Sequence, residues 1–189
     1  MKQKRTKVLS IVLMVLMIVL TSLFALKNIF YFDILVVGDS MKKTLYEGEM
    51  GFALREVFIS DIKRGDIIIF ERDNKEVVKR VIGVPNDHIV INEEGIFVND
   101  NKLEEDYVTS KNKEGTFINS GAYNDLVLQD EQYFVLGDNR LESLDSRYYG
   151  AIERECISGK LKLIYARGDC TDSSCNKLKN SGFVPFKWF

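Results

Sequence analysis

The sequence predicts a mostly β domain, built of bent antiparallel sheets that form a partial β-barrel, after a single N-terminal transmembrane helix. Three observations support this. A long uncharged apolar run opens the chain. Short stretches rich in Val, Ile, Phe and Tyr, bounded by Gly, Asp and Asn, recur after it. No second long apolar helix, repeat or low-complexity segment follows. With 189 residues, 46% hydrophobic and 29% charged, the chain can bury a real core. A net charge of -2 leaves no footprint for nucleic acid. Three cysteines do not make a disulfide framework.

The apolar run extends from Val8 to Leu26 without a charge. At about 1.5 Å per residue it spans about 30 Å as a helix, the thickness of a bilayer's hydrocarbon layer. Its hydroxyls, Ser10, Thr21 and Ser22, can bond back to helix carbonyls. A cleaved secretory signal would share the basic start, but here the run is too long. Lys27, Asn28, Ile29 and Phe30 offer no small-x-small exit either, so an uncleaved anchor over residues 8–28 is the expectation. Lys2, Lys4, Arg5 and Lys7 precede it and only Lys27 closely follows. The positive-inside rule then keeps residues 1–7 in the cytoplasm and places residues 32–189 on the outer face of the plasma membrane.

The predicted strands are GFALREVF, DIIIFE, EVVKRVIGV, HIVINEEGIFVND, QYFVLGD and SGKLKLIYA, with a hairpin turn at NEEG. Residues 101–132 are more polar and less periodic, and read as an inserted flap or small subdomain. The C-terminal FVPFKWF is either a terminal strand or a segment dipping into the lipid interface. Cys170 and Cys175 bracket a loop where a small disulfide is one reading; Cys156 reads as an apolar filler.

Three stretches could carry chemistry. Ser40 lies in a Gly-Asp-Ser turn after an apolar run, and a serine nucleophile needs a base. The single histidine, His88, follows a Pro-Asn-Asp turn and reads as a strand-start residue. Lys79 is the other candidate: Val77, Val78, Val81 and Ile82 flank the Lys79-Arg80 pair, and a lysine buried among apolar groups loses basicity. Strand alternation puts Lys79 and Arg80 on opposite faces. The plainer alternative is two charges on an edge strand that discourage aggregation. LGDNRLESLDSRYYG, residues 136–150, packs carboxylates, arginines and serines into one loop. It reads either as a buttressing network or as a solvated loop. No cluster of His, Cys and carboxylates has ligand spacing, so no metal or cofactor is expected.

These stretches resemble the signature boxes of the type I signal peptidases, membrane-anchored enzymes with a Ser-Lys dyad. The first box, Gly-x-Ser-Met-x-Pro-Thr-Leu, corresponds to Gly38–Leu45. The second corresponds to Arg64-Gly65-Asp66-Ile67 with Lys79–Asp87. The third, Gly-Asp-Asn-Arg-x-x-Ser-x-Asp-Ser-Arg-x-x-Gly, corresponds to Gly137–Gly150 at every fixed position. The resemblance implies Ser40 as nucleophile and Lys79 as general base, acting through an acyl-enzyme. It implies that Ser143 orients the Lys79 amine and that Asp145 and Arg147 form a structural ion pair. Gly38, Asp39 and Met41 would border the oxyanion and substrate pocket, with the Ser40 N–H as oxyanion donor. Implied partners are exported preproteins with small-x-small cleavage sites and the lipid bilayer, for an enzyme expected to be a monomer. Three positions depart from the pattern. Gly38 lacks a side-chain oxyanion donor, Lys43 stands where proline is usual, and Asn86 stands where glycine is usual. The departures leave a second reading open: an accessory relative, weakly active or inactive, dedicated to pilin or surface-subunit processing and assembly.

Overall fold

The computed structural model of the chain describes residues 2–108, 122–167 and 182–188. It divides into two compact units, Met1–Phe32 and Asp33–Phe189. The first is a helix, α1, Lys2–Phe30. Its segment Thr6–Phe30, of mean hydropathy 2.8, is long and apolar enough to cross a membrane. The side chains from Val8 to Leu26 are exposed, as suits a helix whose solvent is lipid. Ser10, Thr21 and Ser22 donate to the carbonyls of Thr6, Met17 and Ile18, so these three hydroxyls need nothing from lipid.

The second unit is β. Its larger sheet runs β1 (Tyr31–Leu35), β2 (Glu49–Arg55), β11 (Ile157–Arg167), β3 (Ile67–Arg72), β4 (Lys75–Gly83), β9 (Gln132–Leu136), β10 (Ile152–Glu153), with β12 (Gly182–Trp188) added on β11. The smaller sheet runs β7 (Asn101–Lys102), β6 (Gly95–Val98), β5 (His88–Asn92), β8 (Asp125–Val127). All the described pairings are antiparallel, and the strand order does not close into a barrel. β11 is irregular: its register shifts against β3 after Ile157 and against β2 after Leu161 and Ile164. Such bulges increase local twist and let one long strand serve β2, β3 and β12.

Local sequence explains the turns. β3 and β4 join through Asp73 and Asn74, both at positive φ, as a two-residue primed turn requires. β5 and β6 join at Glu93-Glu94, within the predicted NEEG turn. Ile67, Ile68, Ile69 and Phe70 on β3 are all buried, because β3 is a central strand covered on both faces. One core cluster gathers Ile68, Phe70, Val81, Val135 and Ile157; a second packs Ile82, Phe134 and Leu136 of the larger sheet against Ile89, Ile96 and Val98 of the smaller.

The small sheet runs from His88 to Val127 and so begins before the polar stretch at 101–132. Hydrophobic alternation in HIVI and GIFV made strands of both segments; only the pairing shows that they leave the main sheet. Residues 109–121 of that stretch, and Cys170 and Cys175, lie outside the described residues. Cys156 is a half-buried free thiol.

Candidate active site

Ser40 sits in a loop between β1 and β2. The loop is closed at its base by Val36 N–H donating to Glu49 O (2.8 Å) and Gly48 N–H donating to Val36 O (2.9 Å). The buried Glu49 carboxylate accepts from Tyr46 N–H (2.9 Å). Within the loop, Lys42 N–H bonds Asp39 O, and the N–H groups of Thr44 and Leu45 both bond Met41 O. Gly38 enters the turn at φ +82°, which a residue without Cβ adopts freely. Met41 and Leu45 are buried and anchor the loop from below. Met41 is therefore mainly a packing residue, with 2% of its surface exposed, rather than an open pocket wall.

Lys79 arrives from β4, which lies between β3 and β9 and is no edge strand. β4 is paired on both sides, with β3 and β9, so the edge-charge alternative does not hold. The Lys79 Nζ lies 2.7 Å from Ser40 Oγ and 3.1 Å from Val78 O. Burial lowers the Lys79 pKa from 10.5 to about 8, against the opposing pull of the Asp145 and Asp138 carboxylates. Neutral lysine is thus accessible near physiological pH, with a hydroxyl directly beside it.

Arg80 extends from the same strand but is buried too. It forms a two-pronged pair with Asp138, Nε to Oδ1 at 2.8 Å and Nη2 to Oδ2 at 2.7 Å. It also donates to Gly65 O (2.9 Å) and Thr44 Oγ1 (3.2 Å). Burial disfavours its charge, but the hydrogen bond and charge of Asp138 outweigh that and raise its pKa. Arg80 therefore ties the Ser40 loop, through Thr44, to the loop that follows β9.

That second loop, residues 137–150, is a charge network. Asp145 Oδ1 and Oδ2 receive Arg147 Nε and Nη2 at 2.8 and 2.9 Å, and Oδ2 also accepts Gly137 N–H (3.0 Å). Arg147 Nη2 reaches the carbonyls of Arg140 (2.7 Å) and Ser143 (3.2 Å). Asn139 N–H donates to Ser40 O (3.0 Å), and its amide to Asp39 O (3.1 Å). The two loops are therefore joined directly at the backbone of Ser40.

Ser143 is buried beside them, but its hydroxyl has no hydrogen-bond partner. The bond to Lys79 implied by the resemblance is not formed in this structure. A Cβ added to Gly137 would lie 2.3 Å from Ser143 Oγ and 2.5 Å from Ser40 O. Ser143 thus packs against the Gly137 backbone, which leaves room there for glycine alone. His88 lies on β5 of the smaller sheet, where its ring contacts Asp125 (2.8 Å). Asp39 pairs with Lys42 at 2.7 Å. Among the described residues no group of His, Cys, Asp and Glu could hold a metal ion.

Sequence reasoning missed the segment Glu105–Val108. The Glu105 carboxylate takes both Nη1 (2.8 Å) and Nη2 of Arg140. Tyr107 Oη donates to Glu105 (2.7 Å), and the Arg80 guanidinium lies 4.1 Å over the Tyr107 ring. Little short-range marks it: apart from the Tyr107–Glu105 bond, the contacts with Arg80 and Arg140 join residues 27 and 35 positions apart, inside a stretch with no strand period.

A family profile described as "Signal peptidase, peptidase S26" matches residues 5–166. A signal peptidase I of Bacillus licheniformis is 35% identical over 138 residues, covering 69% of this chain and 74% of that protein. Signal peptidase I P of Bacillus subtilis subsp. natto is 32% identical over 171 residues, covering 87% and 92%. A signal peptidase I crystal structure from Enterococcus faecalis has 32% identity and a TM-score of 0.45, covering 53% of this chain and 97% of that one.

Proposed function

Because this chain belongs to the signal peptidase family, peptidase S26, we propose that it cleaves exported preproteins through a dyad of Ser40 and Lys79. It is a serine peptidase, and the proposal concerns which residues carry the chemistry and how. The observation that carries it is the 2.7 Å approach of a buried Lys79 amine, its pKa lowered to about 8, to the Ser40 hydroxyl.

Neutral Lys79 takes the Ser40 proton as Oγ attacks the scissile carbonyl carbon. The oxyanion forms next to the Ser40 N–H, in a loop held by the Asn139 contacts. The C–N bond then breaks, Lys79 returns the proton to the departing amine, and the signal peptide remains as an ester on Ser40. Lys79 next activates water, which releases the acid and restores the hydroxyl. Asp145 and Arg147 keep the second loop in place, and Ser143 fills the space beside Ser40. Gly38 and Asp39 border the near side of the site, with Met41 packed beneath the loop, and the side chains preferred before the scissile bond are small ones.

The enzyme acts as a monomer, with α1 in the plasma membrane, its N-terminus cytoplasmic and the β unit outside. Preproteins held in the same bilayer by their own apolar segments then meet the site at high effective concentration. An inactive accessory role finds no support at the site, since both groups of the dyad are present and in contact.

The test is incubation of the full-length protein in detergent with a preprotein carrying an Ala-x-Ala site, beside Ser40→Ala and Lys79→Ala. Wild type alone should generate the mature N-terminus, located by mass. Cleavage by either folded variant at the wild-type rate would sink the dyad.

A further inference from the structure

Lys43 occupies the apex of the Ser40 loop at φ +91°. A residue with a Cβ rarely adopts that region, so something must hold it there. Its ammonium donates to Asp106 O (2.9 Å) and Val108 O (3.4 Å), 63 and 65 positions away. Those carbonyls belong to a well-seated segment. Glu105 is clamped by Arg140, Tyr107 is fixed by Glu105 and Arg80, and Val108 is buried. The loop is otherwise tied at its base, by Val36 and Glu49, beside Ser40, by Asn139, and at Thr44, by a 3.2 Å bond from Arg80. Without Lys43 the far side of the turn, three residues beyond the nucleophile, would lose its longest-range tie.

We propose that Lys43 is a positioning residue: its ammonium fastens the Ser40 loop to the Glu105–Val108 segment and so holds the Ser40 hydroxyl and N–H in productive geometry. This rests on Ser40 being the nucleophile. The Lys43 ammonium bonds Asp106 and Val108 rather than the dyad, so the tie bears on transition-state geometry rather than on substrate affinity. Proline, the residue usual at this position in the resemblance, is locked near -65° and could not take the observed conformation. Installing it therefore damages the loop instead of restoring it.

Three variants of the full-length protein separate the tie from folding. Glycine adopts φ +91° freely, so Lys43→Gly should melt at or above the wild-type temperature. It should nonetheless lower kcat about tenfold, with KM and the pH midpoint unchanged. Amide exchange, read by mass spectrometry, should speed up in both Ser40–Leu45 and Glu105–Val108. Lys43→Arg, which keeps a cationic donor, should stay within about twofold of wild-type kcat. Lys43→Pro should fall below Lys43→Gly in kcat. A Lys43→Gly enzyme with wild-type kcat, with a change in KM alone, or with unchanged exchange at Glu105–Val108 overturns the proposal. The exchange readout does not depend on cleavage, so failure of the Ser40–Lys79 dyad would show separately, in Ser40→Ala.

Discussion

At pH 7 a lysine of pKa about 8 is neutral in about a tenth of the molecules, and that tenth is the form able to accept the Ser40 proton. The sign follows directly. The active species is deprotonated, so kcat for preprotein cleavage should rise about tenfold per pH unit well below 8 and level off above it. Stopped assays from pH 5.5 to 10 check this. A limb falling between pH 8 and 9, or a midpoint near 6.5, would point to another base. His88 does not fit that role, since its ring engages Asp125 on the smaller sheet. The carboxylates of Asp145 and Asp138 favour the charged form of Lys79, but burial outweighs them. Replacing either should therefore move the midpoint down.

The loop from Gly137 to Gly150 works as an element because its buried charges are all paired, Asp145 with Arg147 inside it, Asp138 with Arg80 and Arg140 with Glu105 outside it. Asp145, Arg147, Asp138 and Arg140 are all buried, and each meets a partner of opposite charge. Breaking such a pair from one side typically costs about 3–5 kcal/mol, since the remaining charge stays buried. The weakest place for added volume is Gly137. Its backbone runs against both Ser143 and the carbonyl of Ser40, which is backbone and cannot swing away. Gly137→Ala should therefore destabilise by about 2 kcal/mol and push the two loops apart. Cleavage should fall by more than the loss of folded protein explains. Denaturant midpoints measured beside kcat check this; a fully active, fully stable variant would mean that the loops slide past the added methyl without consequence.

At the scale of the whole molecule, a helix fit for lipid and a β unit with its own core share one chain. If shared residence in the bilayer supplies effective concentration, removing residues 2–30 should affect two substrates differently. Cleavage of a membrane-inserted preprotein should drop by about 100-fold, while cleavage of a short soluble peptide should change by less than about threefold. Equal losses on both substrates would instead assign α1 a part in keeping the β unit folded.

Patterns with a short period were legible without coordinates. The uncharged run Val8–Leu26, the alternation in HIVINEEGIFVND and the solid apolar block of DIIIF each announce their element, because burial in lipid, on one face or on two leaves its own periodicity. The candidate residues Ser40, Lys79, Ser143, Asp145 and Arg147 were likewise legible from motif order along the chain. Tertiary structure alone decided the rest. It placed β4 in the sheet's interior, so that both Lys79 and Arg80 are buried, and it gave β11 three partners through bulges. It left the Ser143 hydroxyl without a bond and set Glu105–Val108 against two arginines and Lys43. These depend on contacts between residues tens of positions apart. Strand order and packing choose such contacts, and no local spacing encodes them.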